Sequence, residues 1–217
     1  MRAEALCHQI ESELATVRRQ LLTHPYVAAV EEGAIELSQL RPFAGEQYAI
    51  ISGAMRSVAH LVSRFGSDFF LDVLAGERVA LEALGPFASA LGMRSVELEE
   101  YEPLPGAHAY AAFTAWLAAY ASDAEVAAAY LINFRAWGEN CGRLSRALTD
   151  RYGLSTEQVR FFDLFAEPAP AFEERAPAII TAGLKRGVPP KLVRRAARLL
   201  QGYELLYWDT LLSELQR

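Results

Sequence analysis

The chain has 217 residues, 52% hydrophobic and 22% charged, with a net charge of −6. That is enough for one sizeable core in an ordinary globular composition, and the acidic balance disfavours non-specific attraction to nucleic acid or an anionic membrane. No uninterrupted apolar run reaches the ~18 residues that span a bilayer, and the two cysteines, Cys7 and Cys141, offer neither a disulfide framework nor a zinc spacing.

Apolar spacing is helical nearly throughout, and Val-Ile-Thr strand runs are scarce. The opening residues lack a signal peptide's apolar stretch, because Glu4, Gln9, Glu11 and Glu13 interrupt it, so a cytoplasmic location is expected. A first helix is predicted over Ala3–Leu22 and a short one over Pro25–Glu32, with His24-Pro25 at the boundary. A long helix begins after Arg41, with Pro42 in its first turn, and Gly66 closes it. Ser67 or Asp68 caps the next, which runs to Leu84, and Pro86 permits a further turn or two. Ser95 to Gly106, with Pro103 and Pro105, reads as the main connector. Helices follow over Ala107–Ala121 and Asp123–Tyr152. The next starts at the capping-type Ser155-Thr156-Glu157-Gln158 and is interrupted by Pro168 and Pro170. Glu173–Lys185 and a final helix opened by Pro189-Pro190 complete an all-α bundle, a single domain over residues 1–217.

Several polar residues fall on apolar faces. Arg194, Arg195, Arg198 and Asp209 share the wet face of the last helix, whereas Glu204 lies among Ala197, Leu200, Trp208 and Leu211. An ionised carboxylate there is costly unless a partner or ligand meets it. On the helix after Pro42, Glu46, Arg56, His60 and Arg64 mark the wet side, and Gln47 lies opposite, among Phe43, Ile50, Ile51, Ala54 and Val58. In Asp123–Tyr152, Tyr130, Phe134, Trp137, Cys141 and Leu148 form the dry stripe, with Asn133 and Asn140 at its edge. Arg135, Glu139, Arg143 and Arg146 lie opposite, Glu139 spaced to pair with Arg143. Tyr110 shares a stripe with Phe113, Thr114 and Leu117. Each such group is satisfied either by a neighbour or water, or by a ligand in a shared polar-lined cavity. The four histidines have no ligand-type spacing.

Taken together, several segments resemble the heme-oxygenase-like superfamily, which includes the TenA thiaminases, the pyrroloquinoline quinone synthase branch and the non-heme di-iron oxidases. His24-Pro25-Tyr26-Val27 through Gly33 to Glu46-Gln47-Tyr48 is similar to the start of TenA, where the tripeptide is usually Gln-Asp-Tyr. Tyr203-Glu204-Leu205-Leu206-Tyr207-Trp208-Asp209 resembles TenA's Tyr-Glu…Phe-Trp ending, whose Glu is catalytic. Tyr152-Gly153-Leu154 and Phe161-Phe162-Asp163-Leu164 look like the di-iron branch just before its His-x-x-x-Asp-x-x-His ligands.

The departures from those families shape the expectation. Phe165, Ala169 and Phe172 stand at the three di-iron ligand positions, Asn133 at the preceding carboxylate, and no histidine lies between Phe69 and Ala83, where Asp72, Glu77 and Glu82 are the acids. No metal or cofactor is therefore expected. Against TenA, the thiol position falls near Phe134, with Cys141 two turns along the same stripe, and the Asp that grips the pyrimidine becomes Gln47. Glu204 is kept, and Tyr110 falls near a pocket tyrosine.

The resemblance implies a metal-free protein that binds a small organic molecule. Glu204 would be its acid/base, in a hydrolase or a cofactorless reaction, and Gln47, Tyr48, Tyr110, Asn133, Phe134, Trp137 and Tyr203 its ligand contacts. The alternative is a non-catalytic partner or regulatory protein with a side-chain-filled pocket; thiaminase and di-iron oxidase stand further off. The Ala-rich helix Ala107–Ala121 also suits packing against a second copy in a homo-oligomer.

Overall fold

A computed structural model describes residues 3–216. In chain order the helices are α1 (Ala3–Glu13), α2 (Ala15–Leu22), α3 (Pro25–Glu31), α4 (Arg41–Phe65), α5 (Asp68–Ala90), α6 (Ser95–Glu99), α7 (Pro105–Tyr120), α8 (Asp123–Asp150), α9 (Thr156–Ala166), α10 (Pro170–Lys185) and α11 (Pro190–Leu215), with a 3₁₀ turn at Leu37–Leu40. Their ends carry the expected stops. Ser122–Glu125 and Ser155–Gln158 form reciprocal capping boxes at α8 and α9. Proline stands in the first turn of α3, α4, α7, α10 and α11. Gly66 ends α4 at φ 58°, a left-handed conformation that favours glycine.

Three boundaries differ from the sequence reading. The first helix is divided at Leu14, whose own side chain is buried. Pro86 lies inside a continuous α5. The carbonyl that loses its helical partner there belongs to exposed Glu82, so water can take it. The connector holds a turn of helix, α6, anchored by the Arg94–Glu97 pair.

The apolar interior falls into two clusters. One is aromatic and gathers Phe43, Phe87, Trp137, Phe161, Phe162 and Trp208. The other gathers Leu6, Ile10, Val58, Leu61, Phe70 and Leu200. Five helices pass from one to the other, α4 changing between Ile51 and Val58 and α7 between Ala111 and Phe113. On α5 the change comes between Phe70 and Ala80, on α8 between Ile132 and Ala136, and on α11 between Leu200 and Tyr207. Glu77, Asn133 and Glu204 occupy those intervals. These three thus mark a seam across the bundle, whereas Gln47 and Asn140 lie within the first cluster's stretches of α4 and α8.

Candidate functional site

Glu204 is 2% exposed and meets no cation among the described residues. Three neutral donors hold it instead. Asn133 Nδ2 donates to Oε2 at 2.7 Å, Gln201 Nε2 to the same oxygen at 3.3 Å, and Trp208 Nε1 to Oε1 at 3.3 Å. Gln201 and Trp208 come from the same helix, one turn to either side. Asn133 comes from α8, where the second helix crosses the seam. Burial pushes the Glu204 pKa up to about 8, and the three donors pull only partly the other way. Around neutral pH the carboxyl is therefore largely protonated. Its three hydrogen-bond partners are all donors, and Glu204 itself lines the adjoining chamber.

The donor next to Glu204 is itself fixed. Tyr110 Oη donates to Asn133 Oδ1 at 2.7 Å, which orients the amide with Nδ2 toward Glu204. Gln47 Nε2 donates to Tyr207 Oη at 2.8 Å across the same space. Together these groups wall a central chamber of about 50 Å³, room for a water or two. Gln47, Tyr110, Asn133, Phe134, Trp137 and Glu204 all line it. Tyr48 and Tyr203 do not share this chamber. Tyr48 packs on the aromatic cluster, and Tyr203 lies 5.1 Å from the Phe113 ring. Glu77, Thr114, Tyr130, Phe165 and Tyr207, none of them among the expected ligand contacts, complete the wall with Ile50, Ile51 and Ala54.

Two further expectations are corrected. Glu46 is fully buried rather than on the wet side. The connector folds over it: Leu104 N–H and Tyr101 O–H donate to Oε1 at 2.6 and 3.1 Å, while Oε2 has no partner. Tyr101 reaches it because Gly45 has no side chain; a Cβ there would lie 2.3 Å from the ring. Glu139 pairs with Arg18, not Arg143, which grips Glu31 instead.

Cys141 is fully buried, and its thiol is pushed well above the ordinary range by burial and the neighbouring Glu204 charge. It is a core thiol outside the chamber wall, so nucleophilic attack by its thiolate is not available in the folded protein. Cys141→Ala is expected to leave ligand affinity unchanged within about twofold by calorimetry. A loss comparable to that of a Glu204 variant would restore the thiol to the site.

A larger groove of about 750 Å³ lies beside the chamber, between α5, α8 and the segment joining α9 to α10. Glu77, Phe134 and Phe165 border both spaces. Gly138 lets the end of α9 lie against α8; a Cβ there would meet the Phe165 carbonyl oxygen at 2.4 Å. Phe165, Ala169 and Phe172, which the resemblance set at the di-iron ligand positions, all face the groove. Among the described residues no three His, Cys, Asp or Glu side chains gather as a metal-binding set.

Comparison with known proteins accounts for this arrangement. The sequence profile of the TENA/THI-4/PQQC family matches residues 11–213. The chain belongs to that family. Similar solved structures include a TenA homologue from Pseudomonas syringae pv. tomato (14% identity, 98% of this chain and 96% of that one, TM-score 0.83). Others are TenA homologues from Pyrococcus horikoshii (16%, 96% and 99%, TM-score 0.79) and Pyrococcus furiosus (20%, 95% and 99%, TM-score 0.75). At these identities the likeness concerns the fold. A search of curated proteins returned no match. Among the described residues no helix is long and apolar enough to cross a membrane.

Proposed function

We infer that this TenA-like protein binds a small organic molecule at the seam of the bundle and that Glu204 is the acid/base facing it. The observation that carries this reading is a buried carboxyl with three donors and no cation, opening on a mainly apolar chamber into which Gln47, Tyr110, Asn133 and Tyr207 bring a few polar groups. A carboxyl of this kind is costly to the fold. With a pKa of about 8 it donates a proton to a bound leaving group or carbonyl near neutral pH, and after ionising it can recover one from water. Tyr110 and Asn133 position it, and the Gln47–Tyr207 pair offers an exchangeable hydrogen bond to ligand oxygen or nitrogen. Acid/base hydrolysis or isomerisation without a metal fits these groups; attack by a protein thiolate does not.

One observation favours the other reading, a non-catalytic partner protein: the chamber alone is too small for an organic molecule. Ligand pockets usually enclose about 300–1,000 Å³. A ligand would therefore have to occupy the neighbouring groove and send only its reacting group past Phe134 and Phe165. A thermal-shift screen of small metabolites separates the readings. Hits that raise the melting temperature of the wild type and not of Glu204→Gln support the ligand site. A library that shifts neither protein supports the partner reading.

A further inference from the structure

The groove contains a carboxylate that the chamber chemistry leaves unused. Glu77 sits on the inward stripe of α5 between Phe70 and Ala80, at the border of groove and chamber. Among the described residues it accepts no hydrogen bond and pairs with no cation. Glu77 is partly exposed to the groove, and the apolar surroundings on its other sides push its carboxyl up, to about 7, with no donor pulling it back. The titratable groups that sense its charge are the hydroxyls of Tyr110 on α7 and Tyr130 on α8. The two arginines facing the groove are already engaged: Arg135 with Glu11 and Glu173, Arg175 with Asp72. Glu139 and Glu167, also on the groove, pair with Arg18 and Arg160. Five carboxylates thus face the groove against two guanidinium groups, and Glu77 is the one left without a partner.

The apolar part of the groove is aromatic. Phe134 and Phe172 lie at 5.4 Å, Phe172 and Phe69 stack at 5.2 Å, and buried Tyr130, on the chamber side, stacks behind Phe134 at 5.3 Å. Aromatic faces and a lone carboxylate both favour an organic cation. A neutral ligand gains at most an ordinary hydrogen bond from the second, and an anionic one is repelled by it.

We propose that the groove receives a protonated amine carried on a flat apolar body, its nitrogen on the Glu77 carboxylate and its body along Phe69, Phe134 and Phe172. The proposal extends the small-molecule reading of the central chamber and rests on it. Naphthylmethylamine, naphthalenemethanol and naphthoate are the probes, titrated calorimetrically against the whole protein at about pH 8 and about pH 6. The amine is expected to bind about tenfold or more tightly than the alcohol at the higher pH, as a charge-assisted hydrogen bond allows. That preference shrinks at the lower pH as Glu77 takes up a proton, and naphthoate is the weakest of the three. Glu77→Gln should erase the preference for the amine and spare alcohol binding. Glu204→Gln should leave amine affinity within about threefold. Gly76→Leu is a second variant: residue 76 lines the groove, and a Cβ there meets open space, so the leucine would fill the groove and weaken amine and alcohol together. Equal binding of amine and alcohol, an unchanged preference in Glu77→Gln, or no amine binding at millimolar concentration would overturn the proposal. Amine binding lost in Glu204→Gln but kept in Glu77→Gln would reject the groove assignment while leaving the chamber reading intact. Binding unaffected by either variant would overturn the groove proposal, and the thermal-shift screen with Glu204→Gln then decides the chamber reading on its own.

Discussion

Glu204→Gln is expected to abolish the binding of any ligand that reaches the chamber and to change how stability responds to pH. Gln keeps the size and lets its carbonyl accept from Asn133 and Gln201. Its amide, however, faces Trp208 Nε1, donor against donor, and it has no acid proton to give. One lost buried hydrogen bond costs about 1–2 kcal/mol. The electrostatic effect has the opposite sign. A carboxyl held at about 8 in the fold and near 4.5 in the unfolded chain binds its proton more tightly when folded. Its contribution is fully present below about 4.5 and is withdrawn as pH rises toward 8, on the order of 5 kcal/mol in all. Glu77 acts in the same direction but is finished near 7, so the slope between about pH 7 and 8 belongs mainly to Glu204. Urea denaturation across this range should show the variant less stable than wild type at about pH 5 and more stable at about pH 8. Parallel curves for the two proteins would mean that Glu204 is already ionised at low pH.

The second large effect is on the fold. Trp208 is fully buried, and its ring lies 5.1 Å from Tyr207, 5.4 Å from Trp137, 5.7 Å from Tyr26 and 6.1 Å from Phe43. It anchors the aromatic cluster and supplies one of the three donors to Glu204. Trp208→Ala should cost about 3–5 kcal/mol through lost contacts and the cavity left behind. For a chain of this length that lowers the melting temperature by about 10 °C. Trp208→Phe retains a ring and should lose much less, while removing the same hydrogen bond and so raising the Glu204 pKa further. A loss below about 1 kcal/mol in the alanine variant would show that the cluster repacks and that Trp208 is not its anchor.

Much of the site was legible because its polar residues interrupt apolar stripes. Glu204, Asn133, Gln47 and Tyr110 each occupy the dry side of a helical wheel, and the bundle brings all four to one chamber. Glu77 carries the same signal. Phe70, Val73, Ala80, Leu84 and Phe87 bracket it at spacings of three and four, yet it was weighed only as a metal ligand. Tyr48 and Tyr203 were misplaced by proximity in sequence. Each is one residue from a wall residue, and one residue on a helix is a turn of about 100°. Glu46 was misread for a different reason. A wheel compares the faces of one helix, and the cover over Glu46 comes from Tyr101 and Leu104, more than fifty residues away. The division of the interior into two clusters was also hidden, because each long helix looks continuously apolar until its contacts with other helices are known.

The protonation state of Glu204 is the most direct test of the account. Carbon NMR of protein labelled at the glutamate side-chain carboxyl, titrated between about pH 5 and 9 and assigned by the signal missing from Glu204→Gln, reads it without a ligand. The account predicts one carboxyl with a midpoint near 8. A Glu204 signal already fully ionised at about pH 6 would contradict it, because the donors would then have outweighed burial and no proton would remain to be given.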